Sequence, residues 1–136
     1  MLRFIAPSLA LLLALPLAAQ AASLKDVELS KTLQKVAQDS SVGTPRAINE
    51  DILDQGFTVQ GNELINHLSV RPSHAEKMRT DPQTVYLQLG ASVCRNPGFR
   101  ELLAKGAVMR YDFTEYKTNR KIATQRYTAA DCGMKK

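Results

Sequence analysis

Tryptophan is absent from this sequence, and histidine and cysteine occur only twice each in 136 residues. With His67 and His74 as the sole imidazoles and no C-x-x-C pair, the chain lacks the ligands of a zinc or redox-motif site. There is also no G-x-S-x-G, no H-E-x-x-H, no phosphate-cradling glycine loop and no calcium loop, which removes the common hydrolase, zinc-protease, nucleotide and calcium signatures. A lone histidine can act as a general base. His67 and His74, however, read as surface or packing residues, the usual place of a lone histidine, with His74 beside Glu76 on a polar stretch. Glu50, Asp51 and Asp54 crowd one segment and read as a solvated helix face rather than an acid–base pair. No catalytic residue, metal or other cofactor is expected. Aromatic residues make up 6% of the chain, so its core must be mainly aliphatic.

What is present begins with an export signal. Met1-Leu-Arg3 is a short positive opening, Phe4 to Ala18 is almost wholly apolar, and Ala19-Gln20-Ala21 offers the small residues a signal peptidase requires. Residues 1–21 are thus predicted to be a cleaved signal peptide, with residues 22–136 as one exported domain, too short for two. The apolar run is shorter than the ~20 residues that span a bilayer, and Pro7 and Pro16 interrupt it. No cysteine follows the small residues, which argues against a lipid anchor. The expected destination is the periplasm or the medium, with no stable membrane insertion after cleavage.

Export puts Cys94 and Cys132 in an oxidising compartment, where an even cysteine count reads as a bridge. In the chain-entropy model, closing a loop of this size stabilises by roughly 4 kcal/mol, a large share of the ~5–15 kcal/mol that holds a domain. Bridged cysteines cannot be nucleophiles. Charge is lopsided around this unit: residues 95–136 hold 10 basic and 4 acidic side chains, residues 22–94 hold 7 and 9. An exported chain seldom meets nucleic acid, so the expected partner is an unidentified protein or an anionic envelope component. The densest charge, with tyrosines among it, is Arg110, Tyr116, Lys117, Arg120, Lys121, Arg126 and Tyr127, a composition found at interfaces.

From Ser23 to Gln38, Leu29, Thr32, Leu33, Val36, Ala37 and then Ser40 fall at helical spacing. Thr44-Pro45 reads as a cap and first turn of a second helix that carries Ile48, Ile52 and Leu53 inward and closes at Gly56. Residues 57–59 and 64–70 form a hairpin about Gly61-Asn62, ended by Arg71-Pro72. Ser73 to Arg79 is at most a short polar helix. Asp81-Pro82 opens a helix over 82–94, although 84–89 also alternates like a strand and Gly90 weakens a helix interior by ~1 kcal/mol. Asn96-Pro97 caps a helix ending at Gly106, and residues 107–116 and 120–129 form a second hairpin pairing Phe113 with Thr124 and Tyr111 with Arg126. The order helix, Gly56, hairpin, helix, Gly106, hairpin predicts an α+β fold. Two αββ-like halves would share a small antiparallel sheet of about four strands, with helices on one face and one disulfide.

The pattern C-x-x-P-x-x-R-x-L-L-x-x-G, then Y-x-F, then a basic strand ending in D-C, is carried by Cys94, Pro97, Arg100, Leu102, Leu103, Gly106, Tyr111, Phe113, Asp131 and Cys132. Together with Thr44-Pro45, Ile48-Asn49 and the Gly56 hairpin it resembles, over most of the mature chain, the short exported proteins described as putative quorum-sensing-regulated virulence factors. The cysteine-bracketed half is also similar to the α/β-type secretin pilotins of type II secretion. Both resemblances imply an antiparallel sheet with helices on one side and a bridging disulfide. The first brings no catalytic residues. The second implies a chaperone binding a short secretin segment, though Ala21-Ala22-Ser23 lacks the pilotins' lipidated cysteine. A pilotin-like helper of this kind is expected to take a partner helix into an apolar groove beside the sheet, lined by residues such as Leu87, Leu102 and Val108. The expected function is non-enzymatic: binding of a protein or envelope partner, with a pilotin-like chaperone or a hydrolase inhibitor as the alternatives.

Overall fold

Residues 17–134 are described in a computed structural model, with side chains from Leu24 onward. Helix α1 (Leu17–Ser40) is followed by a two-residue strand β1 (Arg46–Ala47) and the hairpin of β2 (Ile52–Gln60) and β3 (Glu63–Val70). Helices α2 (Pro72–Thr80), α3 (Pro82–Arg95) and α4 (Pro97–Ala104) lead to β4 (Val108–Glu115), β5 (Lys121–Tyr127) and a 3-10 turn at Ala130–Cys132. The signal-peptide reading of residues 1–21 falls mostly outside the described residues.

Two of the three proline-led helices, α3 and α4, start at a side-chain cap. The Asp81 carboxylate accepts from the Thr84 amide (3.2 Å) and hydroxyl (2.6 Å), and the Asn96 side chain accepts from the Phe99 amide (3.1 Å). Helix α1 turns Leu29, Leu33 and Ala37 onto the sheet, into one core with Leu64, Leu68, Val70, Met109 and Phe113. Val93, Leu102 and Leu103 close the core from α3 and α4. Burial of an aliphatic side chain such as Leu33 or Leu64 stabilises by about 1.5–3 kcal/mol, so this layer is the main source of stability. Cys94 and Cys132 are bonded, with Cα atoms 5.4 Å apart, tying the end of α3 to the 3-10 turn.

The α+β class, the helices on one face and the disulfide agree with the sequence reading. The sheet has five strands in the order β1-β2-β3-β4-β5, and it is mixed: β3 and β4 run parallel from Glu63 beside Val108 to Val70 beside Glu115. Parallel neighbours need a long crossover, and helices α2 to α4 supply it. The two halves therefore enter the sheet from the same end rather than as a continuous antiparallel meander.

The helix predicted over 44–56 is not formed. The Asn49 side chain accepts from the Asp51 and Ile52 amides (2.8 and 2.9 Å), and the Ile48 amide donates to the Ile52 carbonyl (2.9 Å). This local turn uses up the donors that a helix would need, and it leads into the β1–β2 pairing while leaving Ile48 exposed. Gly56 does take a positive φ of 103°, but at a bulge in β2 rather than at a helix end. A Cβ there would lie 3.1 Å from both the Ser41 and Thr44 hydroxyl oxygens. Asp54 is buried at the same bulge, accepting from the Gly56 amide and from Asn66 Nδ2 (both 2.9 Å).

The β4–β5 register is shifted by one residue from the predicted one. Phe113 pairs with Ala123, Tyr111 with Gln125 and Met109 with Tyr127. A turn with Lys117 and Asn119 at positive φ, and a bulge after Phe113, take up the difference. Because side chains alternate with period two, this slip exchanges the faces of β5.

Candidate functional site

The register decides the fate of the predicted binding face. Tyr127, expected at the surface, lies opposite Met109 and is 1% exposed. Its ring stacks on Tyr86 at 4.9 Å between centroids, meets Tyr111 edge-on at 6.1 Å, and its hydroxyl donates to the Tyr86 carbonyl at 2.8 Å. Arg126 moves the other way, to the sheet face away from the core, where it lies opposite Arg110. Tyr116, Lys117, Arg120 and Lys121 remain together and exposed around the β4–β5 turn, with Lys117 Nζ 5.7 Å from the Tyr116 ring centroid.

The outer sheet face is polar and internally paired. Glu63 bridges the two like charges, accepting from Arg110 Nη1 at 3.0 Å and from Arg126 Nε at 3.1 Å. Arg110 also donates twice to Asp112, both bonds at 2.9 Å. Burial pushes the Asp112 carboxyl up, but the Arg110 hydrogen bonds and charge, with the Thr124 hydroxyl, outweigh it and hold it below the usual carboxylate range. These same bonds from Asp112 and Glu63 raise the Arg110 guanidinium. His67, opposite Asp112, shares a 2.7 Å hydrogen bond with Thr58; His74 lies 3.8 Å from Asp51 on another part of the surface. The sheet thus brings Arg110 and Arg126 together with Glu63 from a distant strand and with Asp112 two residues along, so these two cations of the basic hairpin are largely neutralised on this face.

The expected single groove lined by Leu87, Leu102 and Val108 is not formed. Leu102 is buried in the core from α4, Val108 is half-buried at the start of β4, and Leu87 is 59% exposed on α3. Leu87 instead lines a depression of about 310 Å³ beside the disulfide, with Tyr86, Gly90 and Ala91 from α3, Tyr127 from β5, and Asp131 and Cys132 from the 3-10 turn. Its walls are fixed: Gly90 leaves room for the Tyr127 ring, and the disulfide pins the 3-10 turn. Asp131 accepts from the Thr128 amide (2.8 Å) and hydroxyl (3.0 Å). Burial first, then the charge of Asp131, raises Tyr86 above the ordinary tyrosine value and keeps it neutral. The result is a rigid, mostly apolar groove with one carboxylate on its rim. The sequence held its elements, Leu87 one turn before Ala91 and the two cysteines, but not the fold-back that joins them.

Among the described residues no helix is long and apolar enough to cross a membrane, and no cluster of three potential metal ligands is found. Among solved structures, the chain is similar to a putative secreted protein of Pseudomonas aeruginosa, with 69% identity, a TM-score of 0.79, and coverage of 80% of this chain and 96% of that one. It is similar in fold to EpsS, the pilotin of the Vibrio vulnificus type 2 secretion system, with 17% identity, a TM-score of 0.70 and coverage of 81% and 96%. AspS, the type II secretion system pilotin of Vibrio cholerae, follows at 16% identity, a TM-score of 0.62 and coverage of 82% and 99%. At such identities the pilotins establish a shared fold and nothing finer. No curated protein matches. Residues 22–133 match the family described as putative quorum-sensing-regulated virulence factor, and the chain belongs to that family.

Proposed function

We propose that this chain is an exported, non-enzymatic binding protein that holds an apolar segment of a protein partner in the groove beside its disulfide. The observation that carries the reading is Leu87, a large side chain left 59% exposed at the rim of a depression whose other walls are locked by a stacked tyrosine pair and a covalent bridge. An apolar side chain this exposed is tolerated singly, but on a rigid concave surface it is an anchor for a partner. Export is supported by the signal-like residues 1–21 and by a family match that begins at residue 22.

The pilotin fold favours one version of this reading, in which the groove takes a short segment of a secretin-like protein. That version is the narrower one, since the fold is shared at 17% identity. Placing a photo-crosslinking amino acid at Leu87 in the exporting cell tests both. A protein adduct from envelope or culture fluid, lost when Ala91→Glu puts a charge into the groove, is the expected result. No protein adduct, or one indifferent to Ala91→Glu, overturns the groove as the binding site. Identification of the adduct decides whether it is secretin-like.

A further inference from the structure

The two edges of the sheet differ in what they offer. The β1 edge is two residues long. The β5 edge runs for seven residues, Lys121–Tyr127, contains no proline, and among the described residues bonds through its backbone only to β4. In an antiparallel ladder every second residue of an edge strand turns its N–H and C=O outward. An unpaired row of this kind is a template for another strand, and main-chain bonds to it give affinity while the flanking side chains give selectivity.

Those flanking side chains are basic. Lys121 and Arg126 are exposed on the open sheet face with half-buried Thr124 between them, and Arg120 precedes them in the turn. Lys121 and Arg120 make no ion pair among the described residues, and Arg126 shares Glu63 with Arg110. β5 itself carries no acidic residue, so Lys121 and Arg120 are the charges it leaves to a partner, Arg126 being held by Glu63. A second copy of the chain would meet it badly, because pairing β5 with itself about a two-fold axis sets two Lys121 and two Arg126 on one face of a narrow ribbon. A lysine on an edge strand can also serve purely to repel other strands, and the test separates that role from binding.

We infer that β5 accepts an extended acidic segment of another protein as a sixth strand, its carboxylates lying alongside Lys121 and Arg120. The test uses the exported chain with its disulfide closed, isotope-labelled, and a capped heptapeptide, Thr-Glu-Val-Glu-Val-Glu-Thr, as probe. Amide shift changes and slowed hydrogen exchange confined to residues 121–127 are expected. The same peptide with lysine for glutamate, or with alternate backbone nitrogens methylated along one edge, is expected to bind about ten-fold more weakly, and Lys121→Glu to weaken the parent peptide about five-fold. Equal binding of the methylated peptide would mean charge contact without strand pairing and overturn the proposal. So would perturbations centred on Arg110 and His67, or no binding at all, which leaves the basic edge a repelling device. Ala91→Glu in the disulfide groove is expected to leave peptide binding intact, so failure here and failure of the groove reading are distinguishable.

Discussion

Replacing Gly90 with alanine ought to stabilise a helix interior by ~1 kcal/mol on propensity alone, yet here the sign should reverse. A Cβ at Gly90 would stand 2.9 Å from Tyr127 Cε1, 3.5 Å from Cδ1 and 3.7 Å from Cζ. The ring is held on several sides: it is 1% exposed, stacked on Tyr86, edge-on to Tyr111 and held by its hydroxyl to the Tyr86 carbonyl. Overpacking a site of this kind costs about 1–3 kcal/mol. Relief by moving the ring gives up a hydrogen bond worth ~1 kcal/mol and aromatic contacts worth ~0.5–1.5 kcal/mol. After the propensity gain, a net loss of about 1 kcal/mol remains, or roughly 4 °C in midpoint for a domain of this length. Urea and thermal unfolding of Gly90→Ala with the disulfide closed measure it, and a double-mutant cycle with Tyr127→Leu identifies the cause. In the Tyr127→Leu background the alanine should become neutral or stabilising. A stabilised Gly90→Ala, or the same change in both backgrounds, would refute the steric account.

Three further outcomes are expected. Cys94→Ala with Cys132→Ala should lower stability by about 2–4 kcal/mol, read from urea midpoints, and loosen the 3-10 turn against α3 as seen in hydrogen exchange. Asp54→Ala strands the buried Gly56 amide and Asn66 side chain and should cost about 2–4 kcal/mol in chemical unfolding, with Asp54→Asn recovering a large part because its oxygen can still accept. Burial, then the charge of Asp54, raises Tyr111 to about 12, and burial raises Tyr127 as well, with Tyr86 next among the causes. The folded state favours the neutral phenols, so their contribution is whole below the unfolded tyrosine value near ~10 and is lost as pH rises from there toward about 12. Tyrosinate absorbance of these two groups should therefore appear together with loss of structure, not ahead of it.

Much of the fold could be read from short-range chemistry. The caps at Asp81 and Asn96, the Gly61-Asn62 hairpin and the inward stripe Leu29, Leu33 and Ala37 all act within a few residues of themselves, and all stand where the sequence puts them. The region around Gly56 was misread because Thr44-Pro45 and a C-terminal glycine serve a turn and a bulge as well as a helix. Only the Asn49 side chain, competing for the Asp51 and Ile52 amides, tips the balance. Gly90 is the inverse case: counted against a helix, it is there because Tyr127, 37 residues later, needs the space. The parallel junction of β3 and β4 was likewise out of reach, since it depends on how three helices return the chain to the same end of the sheet.

The candidate surfaces were legible in proportion to how locally they are made. Net charge in the last third of the chain is a count, and the exposed cations of the β4–β5 turn follow from it. Whether that charge is available to a partner is not a count. Glu63 lies across the parallel β3–β4 junction from Arg110 and spans to Arg126, so a single carboxylate converts two apparent binding cations into internal ion pairs. A half-exposed pair of this kind adds little stability, but it redirects function, leaving Lys121 and Arg120 on the sheet edge as the unpaired positive charge. The same one-residue register that hands Arg126 to Glu63 buries Tyr127, and the buried ring is what gives the disulfide groove its floor. Edge and groove are thus two results of one alignment. A slip of β5 by a single position would destroy both surfaces together while leaving composition, charge and the cysteine spacing unchanged.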